Sequence, residues 1–428
     1  MPVGSRSAPL VVAAVALLLV AAIGSVALST PSAPAGERAA GPAPTGGVAR
    51  LQAAGLSGAN VTVGVVDVTG FDTDHPALAN TTVRTAAFGP GVTVSNAGRD
   101  DHGTAAAAVV ARTAPDADLA LATVRSAEGY RRAIGWLLRQ DADVIVAPVS
   151  FYGKPGDGSA AVSRATTAAV EAGVTVVTAS GNVARGHWAG RYKRVRNGTL
   201  RFERGPRNYL RGESDRATVW LSWDDPGENY TVELYRAGDD GPRLIARSQP
   251  FPGDGVPNAR IRARLDDGTH FVVVRGPANA TATRLELASP THEFGQARSA
   301  GSVVAPGTAR GALTVGAYDP RTESVEPFSG RGPTADGRLG VDVVADGRHD
   351  VAGRDTFVGS SAAAPYVGGV AALLLSAAPS LSPGEVERAL ERSAVDAGPP
   401  GIDPVAGHGR VDPRGAVRLA RNETRSVG

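Results

Sequence analysis

The chain has 428 residues, 42% hydrophobic and 20% charged, and its 44 basic side chains against 42 acidic ones leave a net charge of +2. That balance supplies a buried core, and no run of positive residues marks a nucleic-acid face, Arg191–Arg211 being only mildly basic. Cysteine is absent, which excludes thiol nucleophiles, Cys-ligated metals and disulfides, while the absence of Gly-Lys-Ser/Thr and His-Glu-x-x-His excludes a Walker loop and a zinc helix.

At the N-terminus Arg6 precedes an apolar run from Leu10 to Leu28, longer than a typical signal-peptide core and long enough to span a bilayer. Residues 1–29 therefore read as a signal peptide or membrane anchor, and the Pro/Ala/Gly-rich stretch 30–47 as a tether. Six of the ten asparagines begin Asn-x-Thr: Asn60, Asn80, Asn197, Asn229, Asn279 and Asn422. Such sequons carry meaning only outside the cytoplasm. The expectation is an exported glycoprotein, extracellular or held at the cell surface through residues 10–28.

From residue 48 the chain alternates strand and helix. Val61–Asp67, Leu119–Val124, Val144–Val149 and Val174–Ala179 are near-continuous apolar runs, the pattern of strands buried on both faces. Helical stretches at Thr104–Arg112, Gly129–Arg139 and Ser159–Ala172 separate them, which predicts an α/β domain with a mostly parallel sheet. Between about residues 186 and 292 the style changes to short strands of alternating polarity. These are Thr218–Trp223, Tyr230–Arg236, Arg243–Arg247, Ala259–Leu265, His270–Arg275 and Thr283–Ala288, parted by turn clusters such as Asp239-Asp240-Gly241. That predicts an inserted all-β, sandwich-like domain. The α/β style resumes over 293–420 with Ala312–Ala317, Val341–Val344, a small-residue helix Ala362–Ala378 and a Ser-Pro helix start before Pro383–Ser393, leaving 421–428 as a tail.

Four segments fall at strand ends or helix starts, where open α/β sheets place their active sites. They are Asp67-Val68-Thr69-Gly70, Asp101-His102-Gly103-Thr104, Ala179-Ser180-Gly181-Asn182 and Gly359-Ser360-Ser361-Ala362-Ala363-Ala364-Pro365. Singly, each is an ordinary turn or cap. Together they supply a hydroxyl nucleophile, an imidazole to take its proton, and a carboxylate to fix the imidazole. An Asn amide and helix N-terminal N–H groups complete the set by meeting the developing oxyanion.

The order Asp, His, Asn, Ser and the block around Ser361 resemble the subtilisin-like serine peptidases, whose nucleophile motif reads Gly-Thr-Ser-Met-Ala-Ala-Pro. Ala114-Pro115-Asp116-Ala117-Asp118-Leu119, Ser329-Gly330-Arg331-Gly332-Pro333-Thr334 and Gly407-His408-Gly409-Arg410-Val411-Asp412 resemble further blocks of the family. The resemblance covers about residues 48–185 and 293–420. It implies a three-layer subtilisin-like fold and hydrolysis of peptide bonds through an acyl-enzyme. Ser361 would be the nucleophile, His102 the general base, Asp67 its partner and Asn182 the oxyanion donor. Ser150, Phe151, Tyr152 and Gly153 would pair with an extended protein or peptide substrate, and Ser180 and Gly181 would wall the cleft.

No metal or cofactor enters the implied chemistry. A structural calcium is compatible with the family, but its loops are not recognisable, and Asp72, Asp74 and Asp100 read as turn or cap residues. The expected state is a monomer. Asp67-Val68-Thr69-Gly70 has one residue more than the family's Asp-Thr-Gly or Asp-Ser-Gly, and no propeptide domain fits between Leu28 and the first strand. These departures motivate the alternative, a catalytically impaired surface protein that binds a partner through the inserted domain. Gly156-Asp157-Gly158-Ser159-Ala160-Ala161 is loosely a dinucleotide fingerprint, but it lies too far from its strand for a Rossmann turn. A Gly-x-Ser-x-Gly elbow is absent around Ser361, which sets aside an α/β-hydrolase.

Overall fold

The computed structural model describes residues 46–95, 101–195, 198–251, 257–280, 282–351 and 356–427. The apolar run 10–28, the tether through residue 45, Asp100 and Asn197 lie outside the described residues.

The chain enters through helix α1 (Gly46–Ala53) and strand β1 (Thr62–Asp67), whose Thr-Val-Gly-Val-Val-Asp sequence is buried from Val63 onward. Strand β2 (Val83–Phe88), helix α2 (His102–Thr113), β3 (Asp118–Val124), α3 (Ala127–Leu138), β4 (Val144–Ala147), α4 (Ala161–Glu171) and β5 (Thr175–Ala179) follow. These strands form a parallel sheet in the order β2-β3-β1-β4-β5, so β1 lies at its centre with β3 on one side and β4 on the other. Strand β2 has no counterpart among the sequence-read strands. It pairs on only one side and is half exposed, so it lacks the apolar run that marks a buried strand.

After β5 come the short antiparallel strands β6 (His187–Arg191), β7 (Arg194–Val195), β8 (Thr199–Leu200), β9 (Asn208–Arg211), β10 (Arg216–Trp223) and β11 (Thr231–Arg236). They continue with β12 (Arg243–Arg247), β13 (Gln249–Pro250), β14 (Asn258–Arg264), β15 (His270–Arg275), β16 (Arg284–Ala288) and β17 (Glu293–Phe294). One sheet runs β13-β14-β10-β16-β6, and the other is built on β12-β11-β15 with β8, β7, β9 and β17. Trp188, Val219, Leu221, Ile261 and Leu285 from the first meet Val232, Leu234, Val272 and Val274 from the second in one core. Alternate residues of each strand face inward, which makes this insertion a sandwich.

The chain then rejoins the parallel sheet through β18 (Leu313–Asp319) beside β5, with short β19 (Ser324–Val325) antiparallel and β20 (Val343–Asp346) parallel to it. A small hairpin, β21 (Arg348–His349) and β22 (Phe357–Val358), leads into α5 (Ser360–Ala377), then α6 (Pro383–Ser393) and α7 (Pro413–Val427). Among the described residues α5 alone is long and apolar enough to span a membrane, but it is a core helix packed on α2 and the central strands. Its Gly368 and Gly369 let it seat that closely, since a methyl group on either would lie 2.2 Å from Val146 or 2.5 Å from Thr113.

Candidate active site

The C-terminal end of β1 meets the N-terminal end of α2, and the C-terminal end of β5 meets the N-terminal end of α5. Asp67 ends β1 and is fully buried, and His102 opens α2 with 5% exposure. Their side chains join at 2.7 Å between Asp67 Oδ2 and His102 Nδ1. Gly103 permits the approach of the two elements: a Cβ there would lie 2.3 Å from the Gly70 carbonyl oxygen and 3.0 Å from Asp67 Cβ.

The longer turn after Asp67 keeps the carboxylate in place through Thr69. Thr69 donates its backbone N–H at 2.8 Å and its hydroxyl at 2.7 Å to Asp67 Oδ1, the oxygen that His102 does not use. The same hydroxyl accepts the Gly103 N–H at 2.9 Å, tying the turn to the residue after His102. On its other side the His102 ring stands edge-on to buried Phe357, centroids 5.1 Å apart.

Ser361 is the second residue of α5 and is 7% exposed, so it sits at the positive end of a long buried helix. Asn182 is bound directly to that helix start. Its Oδ1 accepts the Ser360 N–H at 2.9 Å and the Ser360 hydroxyl at 3.0 Å. Two donors on one atom identify it as the amide oxygen and leave the NH₂ end to donate elsewhere. Gly359, at φ +130°, is required here because a Cβ would lie 2.6 Å from Asn182 Nδ2. The Ser360 hydroxyl also accepts the Gly181 N–H at 3.0 Å, so the end of β5 and the start of α5 are stitched by one side chain. Thr69 and Ser360 carry these contacts without standing out in sequence; the only signal for either is its place inside a motif.

The remaining sequence-read residues lie on the same rim. The Phe151 N–H donates to the Ala305 carbonyl at 2.7 Å, and the Val304 N–H donates to the Ser180 carbonyl at 3.1 Å. Residues 150–153 and 180–181 are thus laced together through 304–305, and Gly181 continues to Ser360. Because successive peptide groups of an extended segment alternate direction, the inward N–H of Phe151 turns those of Ser150 and Tyr152 the other way. Of the aspartates read as turn residues, Asp72 accepts the Asp74 N–H at 3.1 Å and its own N–H is bound by Thr104 Oγ1 at 2.9 Å.

The model of the subtilase family of peptidases matches residues 58–208 and 259–409, more than half of the chain. The chain belongs to the subtilase family. As a subtilase it is a serine-type peptidase, with peptides as its class of substrate. The matched stretches run past β5 into the sandwich and resume within it, so the family pattern spans both edges of the insertion.

Solved structures bear out the fold. The CspB protease of Clostridium perfringens is 19% identical with a TM-score of 0.62, over 86% of this chain and 96% of that one. A lanthipeptide protease is 18% identical with a TM-score of 0.51, over 86% and 92%. The prenylagaramide maturation protease PagA is 16% identical with a TM-score of 0.50, over 87% and 98%.

Among the described residues one acidic cluster is dense enough to hold an ion: Asp342, Glu387 and Glu391, with carboxylate oxygens within 4.8 Å of one another. It lies before β20 and beside the N-terminal end of β18, whereas Asp67 lies at the C-terminal end of the parallel strand β1. Burial pushes Asp342 and Glu387 up to about 7.

Proposed function

We propose that this subtilase is an exported endopeptidase that cuts peptide bonds through an acyl-enzyme on Ser361. The observation that carries the reading is the 2.7 Å contact between buried Asp67 and His102, with Ser361 and Asn182 at the helix start that completes the site. Ser361 Oγ adds to the substrate carbonyl and its proton passes to His102 Nε2. Asp67 holds the Nδ1 proton, which fixes the tautomer and stabilises the imidazolium. Asn182 Nδ2 and the N–H groups opening α5 meet the oxyanion. The imidazolium then protonates the leaving amine, and a water molecule activated by the same ring releases the acyl group. Backbone groups of Ser150 and Tyr152 pair with the extended substrate, with Gly153, Ser180 and Gly181 along the wall.

Export rests on the apolar run 10–28 and the six sequons, placing the enzyme outside the cell or on its surface. The impaired-protein alternative rests on the widened turn after Asp67 and the missing propeptide, and the Thr69 contacts weigh against the first of these. The test is labelling of the purified protein by a fluorophosphonate probe beside Ser361→Ala and His102→Ala. Labelling of the wild type alone is expected. A folded wild type that takes no label would overturn the reading.

A further inference from the structure

The outer face of the β13-β14-β10-β16-β6 sheet carries a row of arginines at alternate positions of β14. On β14 the inward residues Ala259 and Ile261 fill the sandwich core, so Asn258, Arg260, Arg262 and Arg264 face out. The register sets Arg260 opposite Trp220, Arg262 opposite Thr218 and Arg264 opposite Arg216 on β10. Exposure along this row rises in one direction: Asn258 is buried, Arg260 half-buried, Arg262 and Arg264 exposed.

The buried end of the row is where the insertion abuts the peptidase rim. A methyl group on Gly153 would lie 2.8 Å from the Trp220 ring and 3.5 Å from Asn258 Cβ. Arg260 lies over that same ring, its guanidinium carbon 5.0 Å from the Trp220 centroid and 4.7 Å from that of Phe251. The arginine row therefore starts at Gly153 and runs away from it, continuous with the segment laced to Ser180 and Ser360.

Among the described residues the charge of this row is only partly paired. Arg264 pairs with Asp215 at 3.2 Å. Among the described residues no carboxylate pairs with Arg260 or Arg262, and the two repel, which with burial lowers the pKa of Arg260. Stacking on Trp220 and Phe251 fixes the Arg260 guanidinium in an orientation that suits a bidentate acceptor.

We infer that Arg260 and Arg262 form a subsite for acidic side chains of the peptide substrate, making this peptidase selective for segments bearing Asp or Glu near the cut. The inference rests on the peptidase reading above and names its substrate class. Side chains on one face of a strand repeat every two residues, as do those of an extended substrate, so successive acidic positions can be met by successive arginines.

The experiment uses the purified protein and fluorogenic peptides identical except for a Glu, Gln or Lys pair moved along the positions flanking the cut. The wild type should favour the Glu pair at one location by about tenfold in kcat/KM, carried by KM. About 0.5 M NaCl should remove most of that preference. Arg262→Glu changes an exposed side chain, and it should shift the preference to the Lys pair while the rate of labelling by a neutral fluorophosphonate stays unchanged. Equal rates on Glu and Gln peptides, with labelling intact, would overturn the subsite and leave the peptidase reading standing. So would retention of single-stranded DNA or anionic vesicles by the row with no peptide preference. A wild type that takes no label would remove the peptidase reading itself, and the subsite with it.

Discussion

Thr69 binds one oxygen of Asp67 twice, through its N–H and its hydroxyl, and so leaves the other oxygen to His102. A buried carboxylate that accepts several hydrogen bonds is held in one rotamer. The extra residue in this turn has thus moved the hydroxyl to the second position after the Asp without freeing the carboxylate. Thr69→Val keeps the backbone bond and the shape but removes the hydroxyl, and with it the tie to Gly103. Its kcat/KM should fall about 10–100-fold, the range that sub-ångström misplacement of a catalytic group produces. Thr69→Ser should recover most of the loss, and the pH–rate profile of the valine variant should show a shifted acid limb. Full activity in Thr69→Val would mean that the backbone bond alone positions Asp67.

Asn182 depends on Ser360 and Gly359 in different ways. On the oxyanion role proposed for it, Asn182→Ala should lower kcat about 10²–10³-fold with little change in KM. Gly359→Ala places a methyl group 2.6 Å from Asn182 Nδ2, so it should reproduce most of that loss while leaving Asn182 in the chain. Ser360→Ala removes one of the two bonds to Oδ1 and the acceptor for Gly181, which should give a smaller loss, about tenfold. Steady-state kinetics on one peptide orders the three variants, and Ser360→Ala exceeding Asn182→Ala would reject this arrangement.

Much of this was legible in the sequence because apolar runs and motif order are local signals. Val63–Val66 declare a buried strand, and the order Asp67, His102, Asn182, Ser361 places four groups at strand and helix ends. Strand β2 escaped because an edge strand need not be apolar on both faces. Strands β7, β8 and β17 are two residues each, shorter than any periodicity. The arginines of β14 alternate along the sequence, but their place against Trp220 and beside Gly153 comes only from the register of β10 on β14 and the packing of the insertion on the rim. Thr69 and Ser360 act through hydrogen bonds across 34 and 178 residues, which no local pattern encodes.

On the outer face of the second sheet of the sandwich, Glu233 is 1% exposed and accepts from Arg247 at 2.7 Å, from Arg275 at 2.6 Å and from Tyr235 at 2.7 Å. Burial alone would raise its pKa, but these three donors outweigh it and hold the carboxyl below its ordinary value. A depressed folded pKa contributes stability above the unfolded value, lost as pH falls through the folded one. Glu233→Gln should therefore destabilise the protein by about 1.5–3 kcal/mol at pH 7, with both arginines partly able to regain water. The gap should begin to narrow below about pH 4, where the unfolded carboxyl becomes neutral, and close once the pH falls below the depressed pKa of the folded one. Trp188, Trp220 and Trp223 lie in the insertion and only Trp136 in the α/β domain, so denaturation followed by tryptophan fluorescence reads this directly. A gap that persists at low pH would assign the effect to packing and not to charge.

Asp342 carries the opposite sign. Burial raises it to about 7, with nearby Glu391 adding to the rise and the Thr314 N–H, 2.6 Å from Oδ2, opposing it. The folded state therefore holds a proton that the unfolded chain releases near pH 4, and stability falls as pH climbs from about 4 to about 7. Asp342→Asn keeps an acceptor for Thr314 and turns an NH₂ group toward Glu387 and Glu391, so it removes the penalty without opening a cavity. The variant should match the wild type near pH 4.5 and exceed it at pH 8 by about 2–4 kcal/mol, a ceiling set by a shift of roughly three pH units. Thermal unfolding of both proteins across that range is the measurement. If Asp342→Asn is instead destabilised at pH 8, and added calcium stabilises only the wild type, the three carboxylates bind an ion where this account places protons.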